Sequence, residues 1–454
     1  MTFDVIIIGS GQAGVPLATR LAAAGRQVLI AERGDFGGTC VNTGCTPTKT
    51  MMASARAAQV ARNCARLGVR VGPVEVDLAA VVDRKDAMVR KWSEGVGKRL
   101  QADRLTVARG HARFVSERKI EVSGAVHEAK EVIINTGARP VVPPLPGLAS
   151  VPALDNATVM QLRQLPGHLL VLGGGYIGCE FGQMFRRFGA RVTLIDHNPH
   201  LCSREDPEIS SALEEAFRKE GIDLELGAKV LGVSGRAGEI TVRLEGGKEV
   251  RGSHLLVAAG RRPNTDDLAC DKAGVALDAR GNVVTDDDYK TSAPGIYAVG
   301  DVTGGPQFTH TSWDDHRLLF DLLQGRSKKG RRGRNVPYTI FTDPQVAGVG
   351  LSERAAKERG IAYEAASLPF GNVARAIEVD ETAGLMKVLI DPKTERVLGA
   401  AIVGAEAGEL IHIFVALMQA GASARAIVDA EFVHPTFAEG VQSLVMKLPR
   451  FALA

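Results

Sequence analysis

Cys40 and Cys45 stand in the stretch Gly37-Gly-Thr-Cys-Val-Asn-Thr-Gly-Cys-Thr-Pro-Thr-Lys49. Five residues of straight α-helix rise about 7.5 Å, whereas a disulfide requires Cα atoms no more than about 6.8 Å apart. The pair can be bridged only if the backbone bends or tightens between its members. Gly44 permits such a bend, and Pro47 fits only near a helix start or a kink. A bridge held in that geometry is more easily reduced than a structural one. The chemistry on offer is reversible two-electron exchange; two unrelated thiols, or half of a metal site, are the alternatives this stretch leaves open. Near the other end, His434-Pro-Thr-Phe-Ala-Glu439 offers a histidine suited to moving protons near neutral pH and a carboxylate to orient and charge it. Thr436 through Glu439 also reads as a capping box opening a helix. Both readings can hold, because Glu439 has two oxygens.

Two strand–turn–helix–strand units position dinucleotides. Phe3–Ile8 reads as a strand, Gly9-Ser-Gly-Gln-Ala-Gly14 as a phosphate turn, the alanine-rich run to Ala24 as a helix, and Gln27–Ala31 as a strand ending on Glu32. Glycines at 9, 11 and 14 let the backbone approach a pyrophosphate at a helix N-terminus, and Glu32 can accept hydrogen bonds from ribose hydroxyls. The pattern returns at Leu169–Leu172, Gly173, Gly175 and Gly178, a helix to Phe188, and Arg191–Ile195 ending on Asp196. Asp196 comes after Gly173 by the same interval as Glu32 after Gly9, and Gly25 and Gly189 also match. Even the exits echo each other: Thr136-Gly137-Ala-Arg-Pro140 against Ala259-Gly260-Arg-Arg-Pro263. Two dinucleotide folds in one chain imply two dinucleotides.

The motif GGTCxNxGCxPTK resembles the redox-active signature of the FAD-dependent pyridine nucleotide-disulfide oxidoreductases, a family that includes dihydrolipoamide dehydrogenase, glutathione reductase and mercuric reductase. The resemblance spans the whole chain. It implies an α/β fold with FAD and NAD(P) domains of Rossmann type and a C-terminal α+β dimerisation domain. The expected division is 1–146 for the FAD domain, 147–270 for the NAD(P) domain, 271–335 for a segment returning to the FAD domain, and 336–454 for dimerisation. It also implies roles. Lys49 and Glu180 match an ion pair beside the flavin, whose positive member stabilises a thiolate; a solvent-facing lysine and a helix N-terminal glutamate are the structural alternatives. Tyr176 matches the residue that shields the flavin where the nicotinamide enters. Asp301, in Thr291–Asp301, matches the residue that bonds the ribityl chain, with a strand end and helix cap as the bland reading. Gly38, Thr39, Thr136, Gly137 and Gly260 complete the implied cofactor contacts. Electrons would pass from NAD(P)H through FAD to Cys45, then Cys40, then a disulfide substrate, with His434 managing protons. His434 would reach a partner chain's cysteines in a homodimer with shared sites. The apolar faces of Ile411–Met418 and Val441–Leu448 look suited to the partner interface. Asp196 favours NADH by binding a 2′-hydroxyl and repelling a 2′-phosphate, although Arg187, Arg191, His197 and Arg204 leave NADPH open.

Composition agrees with a multidomain enzyme. A length of 454 residues implies two to four domains, and a net charge of +3 is too small to imply a nucleic-acid partner. No apolar run reaches membrane-span length, and Val5–Ile8 leads into glycines without the charged start of a signal peptide, so a cytoplasmic protein is expected. Cys64, Cys179, Cys202 and Cys270 have no paired spacing and read as ordinary buried or partly buried thiols. The basic run Gly325–Arg334 reads as a solvated linker rather than an anion site.

Within the family, Pro-Thr-Lys is closer to the mercuric reductase branch. That branch is characterised by a terminal vicinal cysteine pair and lacks the HPTxxE histidine. Here no cysteine comes after Cys270, and the FAD fold begins at residue 3 with no metal-binding domain before it. Reduction of a disulfide, or oxidation of dihydrolipoamide in reverse, is therefore expected ahead of mercuric-ion, other metal-ion, quinone or stress-related reduction. A flavoprotein acting only as a binding module is the reading from another class.

Overall fold

The computed structural model describes residues 2–452. The strand Thr2–Ile8 is almost wholly buried and central to a seven-stranded sheet. It pairs in parallel with Val28–Glu32 on one side and Ala125–Ile134 on the other. Such two-sided burial suits its run of β-branched residues. The short strand Ile296–Ala298 adds to Ala125–Ile134 in parallel, so the chain re-enters this first sheet after leaving it.

A second sheet is fully parallel. Its order is Asp223–Glu225, Arg191–Ile195, His168–Leu172, His254–Val257 and Ala153–Leu154. Helix Tyr176–Phe188 lies against it and stops at Gly189, whose φ of 118° provides the left-handed turn. The C-terminal sheet is antiparallel, ordered Tyr338–Ile340, Gln345–Gly350, Val397–Gly404, Leu385–Ile390 and Glu364–Pro369.

The echoing exits are joined. Ala138–Pro140 and Arg261–Pro263 pair with each other as an antiparallel ribbon, Arg262 facing Arg139. The internal repeat therefore places two similar segments edge to edge, stitching the first sheet's unit to the second's. One apolar core also spans three units: Met51 and Ala55 pack with Leu169, Val171 and Phe181 of the second sheet's layer and with Ile340 and Val346 of the third. Charge reinforces this junction. Arg187 pairs with Glu220 at 2.5 Å and Asp343 at 2.9 Å while its side chain is only 6% exposed. Removing Glu220, the more buried of the two acids, costs about 3–5 kcal/mol because it leaves the guanidinium uncompensated on that side. Lys387 likewise sits between Asp206, Glu208 and Glu353.

Two expectations need correction. Val441, Leu444, Val445 and Leu448 are all buried in their own domain's core, as are Ile411 and Phe414. These stripes pack inward on the antiparallel sheet and cannot also face a partner; partly exposed Ile413, Val415, Leu417 and Met418 are what remains of the first face. Nor is Gly325–Arg334 simply solvated. Arg334 pairs with Asp315 at 2.8 Å and Asp314 at 3.2 Å, and Arg332 with Asp288 at 2.5 Å and Asp287 at 3.7 Å, because acidic groups of the preceding segments face it.

Candidate active site

The break demanded by the cysteine spacing falls at Thr43–Gly44. Helix Gly38–Asn42 carries Cys40, and helix Cys45–Asn63 begins with the second thiol. A Cβ at Gly44 would meet the Thr39 carbonyl oxygen at 2.8 Å and the Cys40 Cα at 3.3 Å, so glycine is needed for the two short segments to close on one another. Pro47 lies in the first turn, where its missing N–H costs no helical bond. Both cysteines are free thiols.

Cys45 faces a prepared environment. Its Sγ lies 3.0 Å from the Thr309 hydroxyl. The Cys40 thiol beside it, then Thr309 and the Lys49 charge, lower Cys45 to about 6, against burial and the Glu180 carboxylate, which push it up. Cys40 moves the other way, raised by its hydrogen bond to Cys45 and by burial. The pair is thus polarised: Cys45 is the thiolate at neutral pH and Cys40 keeps its proton. Lys49 Nζ donates to Glu180 Oε2 at 2.7 Å, and the other carboxylate oxygen accepts the Phe341 amide at 2.9 Å. The Lys49 ammonium also lies 4.6 Å from the Phe341 ring centroid. Glu180 is buried, which fixes the cation near the sulfur.

Both thiols and the Lys49–Glu180 pair line one cavity of about 1050 Å³. Gly9, Gly11, Glu32, Gly38, Thr39, Thr136, Gly137, Tyr176 and Asp301 line it too. Gly9 has a φ of 105°, and a Cβ there would lie 2.3 Å from the Asn135 carbonyl. Gly14 lies behind this surface; a Cβ on it would meet the Gly9 carbonyl at 2.1 Å, so it sets the helix against the turn. Glu32 accepts from the Ser10 amide at 2.9 Å, the Ser10 hydroxyl at 2.7 Å and the Gly34 amide at 2.7 Å. Burial pushes the Asp301 carboxyl up while Arg261, 3.6 Å away, counters it. The Thr136 hydroxyl and the Arg261 Nε are buried without partners on this wall. A long ligand with phosphates and hydroxyls fits such a surface: glycine backbone for the phosphates, the Glu32 and Asp301 carboxylates for hydroxyls, and the unpartnered Thr136 and Arg261 atoms for further hydrogen bonds.

The second nucleotide turn does not line this cavity. Gly173, Gly175, Gly178, Asp196 and Gly260 lie outside its wall. Their local geometry nevertheless repeats the first. A Cβ at Gly178 would meet the Gly173 carbonyl at 1.9 Å. Asp196 is buried, its Oδ2 accepting from the Gly174 amide and its Oδ1 from the Asn198 amide at 2.7 Å. These partners correspond to the Ser10 and Gly34 amides held by Glu32.

His434 Nδ1 lies 2.8 Å from Glu439 Oε2. The Thr436 hydroxyl accepts the Glu439 amide at 3.2 Å, so half of the capping box is present, while the glutamate side chain turns to the histidine. The helix itself starts at Ala438. The His434 side chain is 69% exposed, and neither member of the pair lines its own chain's cavity. Several contacts were not legible in the motifs: Thr309 against Cys45, the Phe341 amide on Glu180, and Asn135 Nδ2 donating to the Gly9 carbonyl at 3.0 Å. Arg261 lay within the echoing exit, which could have marked it.

Residues 3–315 match the family described as pyridine nucleotide-disulphide oxidoreductase, and residues 336–445 match its dimerisation domain. The chain belongs to this family. It is similar to the mercuric reductase of Staphylococcus aureus, 35% identical over 444 residues covering 97% of this chain and 81% of the relative. It is equally similar to the dihydrolipoyl dehydrogenase of Thermus scotoductus, 35% identical over 459 residues, covering 100% and 98%. The solved flavoprotein disulfide reductase RclA of Escherichia coli superposes with a TM-score of 0.89 at 35% identity, covering 98% of this chain and 99% of that one. The protein is thus an FAD-dependent oxidoreductase of the pyridine nucleotide-disulfide family. Among the described residues, no helix is long and apolar enough to cross a membrane.

Proposed function

We propose that the protein is an NAD(P)H-dependent disulfide reductase in which Cys40 and Cys45 carry electrons to a small disulfide. The observation that carries this reading is the polarised dithiol: Cys45, lowered to about 6, beside Lys49 and Thr309 in the cavity that the first nucleotide turn lines. FAD, when bound, supplies the conversion of a hydride into electrons delivered to sulfur. Gly9, Gly11, Glu32 and Asp301 would hold it, and Tyr176 would cover it where the nicotinamide arrives. The chain's own residues do the rest. Lys49, fixed by Glu180, stabilises negative charge on Cys45. Once the bridge is reduced Cys40 holds a proton, and by giving it up to the acid–base histidine it serves as the nucleophile toward the substrate. The second turn, with Asp196, would hold the nicotinamide cofactor, NADH ahead of NADPH. The division at 146, 270 and 335 belongs to the same reading, supported by the three sheets and by the return of Ile296–Ala298 to the first.

The exposed His434–Glu439 pair supports a homodimer in which each chain's histidine moves protons at the partner's thiols. A metal-ion acceptor is the second reading, favoured by the Pro-Thr-Lys ending and the likeness to mercuric reductases. One panel separates these: lipoamide, glutathione disulfide, a quinone and mercuric ion, each assayed with NADH and NADPH. The highest kcat/KM is expected for a disulfide with NADH. Turnover confined to the metal ion or quinone would overturn the substrate class, and preference for NADPH would overturn the role of Asp196.

A further inference from the structure

Cys179 and Cys202 are distant in sequence, but the fold brings their sulfurs to 3.8 Å. Cys179 is completely buried in helix Tyr176–Phe188, and Cys202 is 7% exposed in the loop after Asp196. Both grip the same residue of the second nucleotide turn: the Cys202 amide donates to the Gly174 carbonyl at 2.8 Å, and the Cys179 thiol donates to it at 3.4 Å. The Gly174 amide in turn bonds Asp196. Cys202 is held at a φ of 48°, a left-handed conformation uncommon for a residue with a side chain. Next to it, the Glu205 amide donates to the Cys202 carbonyl at 2.8 Å, and the Glu205 carboxylate accepts the hydroxyl of Tyr338, which lines the large cavity. Neither Cys179 nor Cys202 lines the cavity of the Cys40–Cys45 site.

We infer that Cys179 and Cys202 form a second redox dithiol, which a hydroperoxide closes to a disulfide, and that closure weakens nicotinamide binding by moving the Gly174 turn. Bonding requires the sulfurs to approach by about 1.8 Å, since a disulfide is close to 2.05 Å long. The thiol hydrogen bonds to Gly174 and between the sulfurs cannot survive that approach. The balance is complete with hydrogen peroxide as the oxidant. The less buried Cys202 sulfur attacks one peroxide oxygen, the O–O bond breaks, and water leaves with the thiol proton, giving a sulfenic acid. Cys179 sulfur then displaces its hydroxyl, the S–S bond forms, and a second water carries away the Cys179 proton. Two thiols are oxidised by two electrons and one peroxide is reduced to two waters.

The effect on the nicotinamide rests on the function proposed above; the disulfide itself does not, so the two can fail separately. The full-length holoenzyme is treated with hydrogen peroxide, freed of it, unfolded with N-ethylmaleimide, digested and mapped without reduction. A peptide linking Cys179 to Cys202 is expected, together with a rise of about fivefold or more in KM for NADH in the untrapped sample, the lower range of coupling between two sites. Dithiothreitol should reverse both. Cys179→Ser and, independently, Cys202→Ser, each of which keeps a hydroxyl donor in place of the thiol, should each show the same KM for NADH before and after treatment. Maleimide on both cysteines in a sample whose Cys40–Cys45 bridge is closed would overturn the dithiol. A linked peptide with unchanged KM would overturn the coupling, and a KM rise on treatment that persists in Cys179→Ser would assign the effect elsewhere.

Discussion

The two nucleotide units of this chain are built alike and placed differently. Gly9, Ser10, Gly14, Glu32 and Gly34 correspond in order to Gly173, Gly174, Gly178, Asp196 and Asn198. In each unit the third glycine presses on the first one's carbonyl, and the acid holds the same two amides. In each, the chain returning after the second strand donates an amide to the turn: Gly37 to the Ser10 carbonyl at 3.1 Å, Cys202 to the Gly174 carbonyl at 2.8 Å. The units part company at the next segment. After Gly37 the first unit raises the helix break that carries Cys40 and Cys45 into the cavity; after Cys202 the second unit turns into helix Pro207–Lys219. A shared frame binds a shared kind of ligand, and the chemistry depends on the segment each copy adds.

The sharpest way to break this comparison is to wedge each frame open. Gly14→Ala and Gly178→Ala place a methyl group 2.1 Å and 1.9 Å from the corresponding carbonyl. The first should yield protein without flavin absorbance. The second should keep the flavin, keep reduction by dithionite, and lose about 10²-fold in reduction by NADH, as a small misplacement of bound reactants does. Equal flavin loss in both would mean that the units do not divide the two cofactors.

A second test concerns what neither unit holds. His434→Ala should lose about 10²-fold or more in disulfide reduction, the usual weight of a positioned acid–base group. Mixed with Cys40→Ser under subunit exchange, it should recover activity near one quarter of wild type, because about half of random dimers are mixed and each has one intact site of two. Verified mixed dimers as inactive as their parents would place the histidine in service of its own chain.

Much of this frame was legible in the sequence because it is local. The interval from glycine to acid and the matching Gly25 and Gly189 reflect the geometry of a single strand–helix–strand unit, and Arg191–Ile195 lies where its pattern puts it. Contacts set by packing were not legible. Thr309 meets Cys45 across more than half the chain, and Cys179 meets Cys202 because one turn gathers both. An apolar stripe such as Val441–Leu448 does not tell which neighbour it serves, and the antiparallel sheet claimed it. The ribbon between the echoing exits needed the arrangement of both units.

The smallest expected effect bears on electrostatics in the first unit. Lys49 lowers Cys45, so Lys49→Met should raise the midpoint of the Cys45 thiolate from about 6 by about one unit, or roughly 1.4 kcal/mol. The sign is set by charge: without the cation and with Glu180 left unpaired, the thiolate is disfavoured and forms at higher pH. A spectroscopic pH titration of the reduced enzyme reads this, and an unmoved midpoint would leave the polarisation to Cys40 and Thr309.

The division of labour between the two sulfurs is the centre of the account, and single serine variants test it directly. Cys40→Ser and Cys45→Ser should both bind FAD and both fail to reduce a disulfide. Only Cys40→Ser, which keeps Cys45, should show the long-wavelength absorbance of a thiolate lying against the flavin at pH 7. Bands of equal strength in the two variants, or a band only in Cys45→Ser, would contradict the assignment.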